Sequence, residues 1–135
     1  MTARTKVSKG RGDKAKADRL FSLLVRDTGV CANCGYRCPC LPDEIRRTKT
    51  HRLECKLQCA HIIGRAYSTT RTDLDNAVCL DASCHMRFTD WPDEWLDFVG
   101  RDRYDALKLR ANEGMGVKVD WSAELDRLMS LWGER

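Results

Sequence analysis

Two sets of side chains in this sequence have the types and spacing for chemistry. The first set is thiol: eight cysteines occur in 135 residues, six of them between Cys31 and Cys59. Cys31-Ala32-Asn33-Cys34-Gly35 is a CxxC knuckle. Two intervening residues let both sulfurs reach one tetrahedral ion at ~2.3 Å, while amides of the turn soften their charge. A redox CxxC is expected on the strand-to-helix turn of a βαβ pattern, which is absent here. Closing a structural zinc site takes a second pair, and Cys79 and Cys84 are the best-placed residues, flanking an expected strand and helix start. Cys38, Cys40, Cys55 and Cys59 remain: either a second Cys₄ zinc site, chelating through CxC and CxxxC pairs, or small buried hydrophobes. The second set is His–Asn–His. The chain has three histidines, and two of them, His61 and His85, bracket Asn76 in a thiol-rich window. An imidazole ordinarily titrates near pH 6.5, so it can abstract a proton at neutral pH.

These residues need elements to position them. Ala17, Leu20, Phe21 and Leu24 follow helical spacing, and Gly29 is a plausible stop. Residues 1–16 are rich in Lys, Arg, Gly and Ala with little that is apolar, and read as a basic, flexible arm. The stretch from Cys31 to Cys59 is loop-like, interrupted by Gly35, Pro39 and Pro42. An extended segment at 57–63 and a second at 77–80 can pair as a hairpin. The connection from Gly64 to Asn76 is too rich in Thr, Arg and Asp for a buried element. The remainder reads as helical: a short helix over 82–88, another opened by Pro92 at its first position, and a third carrying Tyr104, Leu107 and Ala111. Asp120 or Ser122 can cap a last helix, with Leu125, Leu128, Met129 and Trp132 along one stripe. The expected organisation is therefore an arm (1–16) and one domain (17–135), with a core at about 31–99 and a helical buttress at 101–133.

Composition sets the outer bounds. No apolar run is long enough for a membrane helix. With no signal peptide visible, a cytoplasmic chain with reduced, metal-binding thiols is expected. The net charge of +4 conceals an uneven distribution. Residues 1–19 carry seven Lys/Arg against two Asp, residues 37–72 eight basic against three acidic, and from Asp73 onward fourteen acidic face eight basic. A basic front half on an acidic back half points to a polyanionic partner.

The window Cys59-Ala60-His61-Ile62, Arg65, Thr70-Arg71, Asn76-Ala77, Cys84-His85 and Phe88, with Cys31 and Cys34 upstream, resembles the HNH endonucleases of small phage- and prophage-borne type. The resemblance covers about residues 31–99. It implies an α+β fold, with a small zinc-stabilised ββα-metal (treble-clef-like) core and flanking α-helices. It further implies a metal-dependent DNA endonuclease or nickase. His61 would be the general base, Asn76 would orient the loop, and His85 would ligate a divalent ion such as Mg²⁺, Mn²⁺ or Ni²⁺. Arg65 and Arg71 would hold flanking DNA phosphates. Two positions depart from the family pattern. Ala60 stands where many members carry a metal-binding Asp or His, leaving Cys59, Asp81, Asp90 or water to complete that sphere. Asp81 stands where CxxCH would place a cysteine, and a carboxylate can itself bind zinc. The competing expectation is a catalytically weak zinc module that binds DNA or a phage packaging or recombination protein.

Overall fold

The computed structural model describes residues 2–38 and 55–135, with side chains from residue 12 onward. Helix α1 spans Thr2–Arg26, strand β1 Leu57–His61, strand β2 Ala77–Asp81, and helices α2 to α5 span Ala82–Asp90, Pro92–Val99, Arg101–Glu113 and Trp121–Glu134. The fold is mixed α+β. The strands pair antiparallel, Leu57 opposite Asp81 and His61 opposite Ala77. Local chemistry explains most element ends. Pro92 opens α3, where its missing N–H costs nothing, and Gly100 closes it with φ of 92°. Asp120 caps α5 by accepting from the Ala123 amide.

Three apolar clusters hold these elements together. Cys31, Leu57, Ala60, Leu80 and Phe88 join the knuckle, the hairpin and α2. Ile62 and Ile63 pack with Val99, Leu107 and Ala111 of α3 and α4. This is why β1 stops at His61 rather than Ile63: the two isoleucines leave the ladder to fill that second cluster. The third cluster, Ala17, Phe21, Ala77 and Leu128, packs α1 against α5 and the hairpin.

The structure qualifies two sequence expectations. Residues 2–16, expected as a basic arm, are not set off from the helix expected from Ala17, since α1 spans Thr2–Arg26. Ala, Lys and Arg are good helix formers, and Lys14 lies over the Trp121 ring, 5.5 Å from its centroid, tying this half of the helix to α5. The connection from Gly64 to Asn76 is not wholly exposed either. Thr70, Thr72 and Asn76 in it are almost fully buried. Burial is affordable because the side chains of these three residues find partners. Thr72 Oγ1 donates to Glu124 at 2.9 Å, and Arg127 donates to the Thr72 carbonyl at 2.9 Å. Arg103 donates to the Asp75 carbonyl at 2.8 Å, and Arg110 pairs with Asp73. The flanking helices thus clamp the loop between the strands. Among the described residues, no helix is long and apolar enough to cross a membrane.

Candidate metal centre and active-site cleft

Cys31, Cys34, Asp81 and Cys84 bring one ligand atom each within 4.8 Å of one another. The knuckle turns on hydrogen bonds from Cys31 N to Tyr36 O (2.8 Å) and from Gly35 N to Cys31 O (3.1 Å), with Gly35 at φ 80°. It is moored to the sheet by Ala32 N donating to Cys79 O at 2.8 Å. From the other side, Asp81 ends β2 and caps α2. Its Oδ1 accepts from Cys84 N at 2.8 Å, and its Oδ2 accepts from the Cys34 thiol at 2.7 Å. A tetrahedral ion with Zn–S near 2.3 Å needs sulfurs ~3.8 Å apart, a separation that falls inside this 4.8 Å limit. The cluster could therefore hold a metal ion such as zinc.

The proton affinities in the cluster are uneven. The Asp81 carboxylate holds the Cys34 thiol proton, pushing that thiol up to about 12. Burial raises Cys84. At Cys31, burial also opposes the thiolate, but backbone hydrogen bonds at Cys34, Asp81 and Asn33 outweigh it and bring it below the ordinary thiol value. The Asp81 carboxyl, despite its burial, is held below the usual range by bonds from the Cys34 thiol and the Cys84 amide. A bound cation would displace the shared protons.

The expected ligand Cys79 is not in this group; Asp81 takes its place. Cys79 lies inside β2 opposite Cys59, its side chain in the apolar cluster beneath the hairpin. Cys79 meets the knuckle through its backbone carbonyl alone, and it is the side chain of Asp81, the strand's last residue, that joins the ligand group. Of the four cysteines considered for a second zinc, Cys40 lies outside the described residues. Cys38 and Cys55 pack at the edge of the first apolar cluster. Cys59 is largely buried on β1, and burial pushes its thiol up to about 12 although Arg26 and Arg65 oppose this. No second ligand group forms among the described residues.

His61 and His85 face a different feature, a cleft, while Asn76 is buried in the loop behind it. His61 Nε2 lies 2.8 Å from the Arg71 carbonyl oxygen. A carbonyl only accepts, so Nε2 carries the proton and Nδ1 keeps its lone pair. Partial burial lowers the affinity of this imidazole for a second proton. The bond to Arg71 O works the other way, and the charges of Arg65 and Arg71 add to the lowering. Asn76 is fully buried and staples the loop beyond His61. Its Oδ1 accepts from Ile63 N at 2.7 Å, and its Nδ2 donates to Ile63 O at 3.0 Å and Thr70 O at 2.9 Å. His85, on α2, places Nδ1 2.7 Å from Gln58 Oε1 of β1, leaving Nε2 as its open nitrogen. His61 and His85 line one open cleft of about 590 Å³ with Ser22, Arg26, Gln58 and Arg65.

The structure changes the list of cleft residues. Arg65 is exposed at the rim, as a phosphate contact requires. Arg71 is not available for DNA: Nε and Nη2 donate to the Asp18 carboxylate at 2.8 and 2.7 Å, and Nη1 to the Arg65 carbonyl at 3.1 Å. Arg26 lines the cleft instead, with only its Nε engaged, to Ser22 O and Oγ, among the described contacts. Sequence reasoning missed Asp18, Phe21 and Arg26 as cleft residues because α1 ends about thirty residues upstream of β1, and nothing in their local spacing points to a site. Ala60 is 1 % exposed and points into the core, so this position offers no ligand and no space for one. Asp81 is committed to the cysteine cluster. Asp18, the one carboxylate lining the cleft among the described residues, is held by Arg71.

Comparison with protein-family models, curated proteins and solved structures returned no match to this chain.

Proposed function

We propose that the protein hydrolyses phosphodiester bonds in DNA as an HNH-type endonuclease or nickase, with a zinc-stabilised ββα-metal core. The observation that carries this reading is the fixed tautomer of His61, with Nε2 spent on the Arg71 carbonyl and Nδ1 left basic, in a cleft shared with His85 and two arginines. His61 Nδ1 takes the proton of a water as that water attacks phosphorus. Arg26 and Arg65 hold phosphate oxygens on either side of the reacting group, where guanidinium forks match them. Asn76 keeps the loop that carries the Arg71 carbonyl in place. His85 Nε2 would hold a divalent ion, which when bound supplies positive charge against the phosphate. Zinc on Cys31, Cys34, Asp81 and Cys84 fastens the knuckle to the start of α2, on which His85 sits.

The buried Ala60, and a cleft whose one lining carboxylate among the described residues, Asp18, is paired with Arg71, favour a second reading, a zinc module that binds DNA or a packaging or recombination protein without cutting. Plasmid relaxation with added Mg²⁺, Mn²⁺ or Ni²⁺ separates the two. Loss of a general base costs roughly 10²–10⁴ in rate, so His61→Ala should abolish nicking while zinc content and DNA affinity hold. DNA binding without cleavage by wild-type protein in any metal would establish the adaptor reading; equal cleavage by wild type and His61→Ala would remove His61 as the base.

A further inference from the structure

Helix α1 lies outside the segment whose residues suggested nuclease chemistry, yet it borders the proposed base directly. We propose that Asp18 is a positioning residue for His61, acting through the side chain and carbonyl of Arg71. The inference rests on the reading of His61 as general base. The links are short and continuous. Asp18 Oδ1 and Oδ2 accept from Arg71 Nε and Nη2 at 2.8 and 2.7 Å. A two-point fork of this kind fixes orientation as well as distance. Arg71 Nη1 adds a third tie, to the Arg65 carbonyl at 3.1 Å. The carbonyl of the same Arg71 then accepts from His61 Nε2 at 2.8 Å.

The ion pair is also shielded. The side chains of Arg71 and Asp18 are 17 % and 25 % exposed, so water screens this pair less than a surface one. The residues on either side of Arg71 are held by other elements: Thr70 O by Asn76, and Thr72 by Glu124 and Arg127. The Asp18 fork is what reaches the Arg71 side chain from outside the loop, among the described contacts. Phe21, on the same face of α1 one turn on, lies 5.5 Å ring to ring from His61. The base is thus set from α1 in two ways, by an aromatic contact on the ring and by a charge-assisted link to its hydrogen-bond acceptor. The pair also balances charge, since the Arg65 and Arg71 cations disfavour a protonated His61 and Asp18 favours it.

A purely structural ion pair would affect stability alone, so the test reads the imidazole itself. Asp18→Ala, Asp18→Glu, Arg71→Ala and the double Ala variant would be compared with wild type by nicking kinetics, ¹⁵N NMR of the His61 tautomer and thermal unfolding. Asp18→Ala should lower kcat about ten- to a hundredfold with KM close to wild type, the cost of a misplaced base. The His61 signal should move from the Nε2–H form to a tautomer mixture, with partial recovery in Asp18→Glu. The double variant should be no worse than either single one, because both cut the same link. Arg71→Ala retains the backbone carbonyl and every residue of α1, so it carries the comparison if Asp18→Ala fails to fold. If wild type does not cleave DNA, the nuclease reading falls but the tautomer still decides this link. A His61 that stays in the Nε2–H form in folded Asp18→Ala or Arg71→Ala overturns the proposal. So does a kcat loss that only follows the melting temperature.

Discussion

Replacing Asn76 tests how the site is built without presuming what it does. The side chain is fully buried and makes three hydrogen bonds, to Ile63 N, Ile63 O and Thr70 O. Asn76→Ala removes all three partners at once and leaves an amide and two carbonyls facing a space too small to hydrate well. A buried polar group left without its partner costs roughly 1–3 kcal/mol. Partial relaxation and some water entry put the sum near the lower end, about 3–5 kcal/mol. Set against a total of roughly 5–15 kcal/mol for an ordinary domain, that is a large fraction. With roughly 2–8 °C lost per kcal/mol across this size range, the midpoint should fall by at least about 6 °C. Asn76→Asp should be no milder at neutral pH, since a carboxylate still accepts from Ile63 N but faces the two carbonyls with negative charge. Thermal and urea unfolding followed by circular dichroism would measure both variants. A loss below about 1 kcal/mol for Asn76→Ala would refute the reasoning, because it would mean the loop is held by its helical clamps and not by this amide.

Two further predictions concern the metal cluster and pH. Protein purified under reducing conditions should carry zinc on Cys31, Cys34, Asp81 and Cys84; elemental analysis of Cys79→Ala should find it retained, and of Asp81→Ala should find it lost, with the opposite pattern restoring Cys79 as the ligand. Burial lowers the His61 proton affinity, so the acid limb of the cleavage profile should lie below the ordinary imidazole value of 6.5. The same shift fixes the sign of its stability term. The unfolded chain binds the proton first, so the contribution is complete above 6.5 and is lost as pH falls through that value toward the lower folded one. His61→Gln should flatten this part of the pH–stability curve, and an unchanged curve would contradict the shift.

How much of this was legible in the residues depends on how local each cause is. The CxxC knuckle, the hairpin and the Pro92 start of α3 are set by neighbours within a few positions and were legible in the sequence, as was the cap of α5 up to the choice between Asp120 and Ser122. His61, Asn76 and His85 stood out because two of three histidines bracket an Asn in one thiol-rich window, and that window does fold as a hairpin running into a helix.

What the sequence alone determined, then, is which chemical groups are present and which short segments carry them. Only tertiary structure decided their partners. Cys79 and Asp81 are two residues apart and both plausible ligands, but only the Asp81 side chain, at the end of β2, joins the knuckle's thiols. Arg71 reads as a free cation until Asp18, 53 residues away, arrives with α1. Thr70 and Thr72 look like surface residues until helices from three parts of the chain close over their loop. The physical reason is common to all three. The cost of burying a charge or a polar group depends on whether a complementary group is there to meet it, and for these residues that group comes from an element far away in sequence.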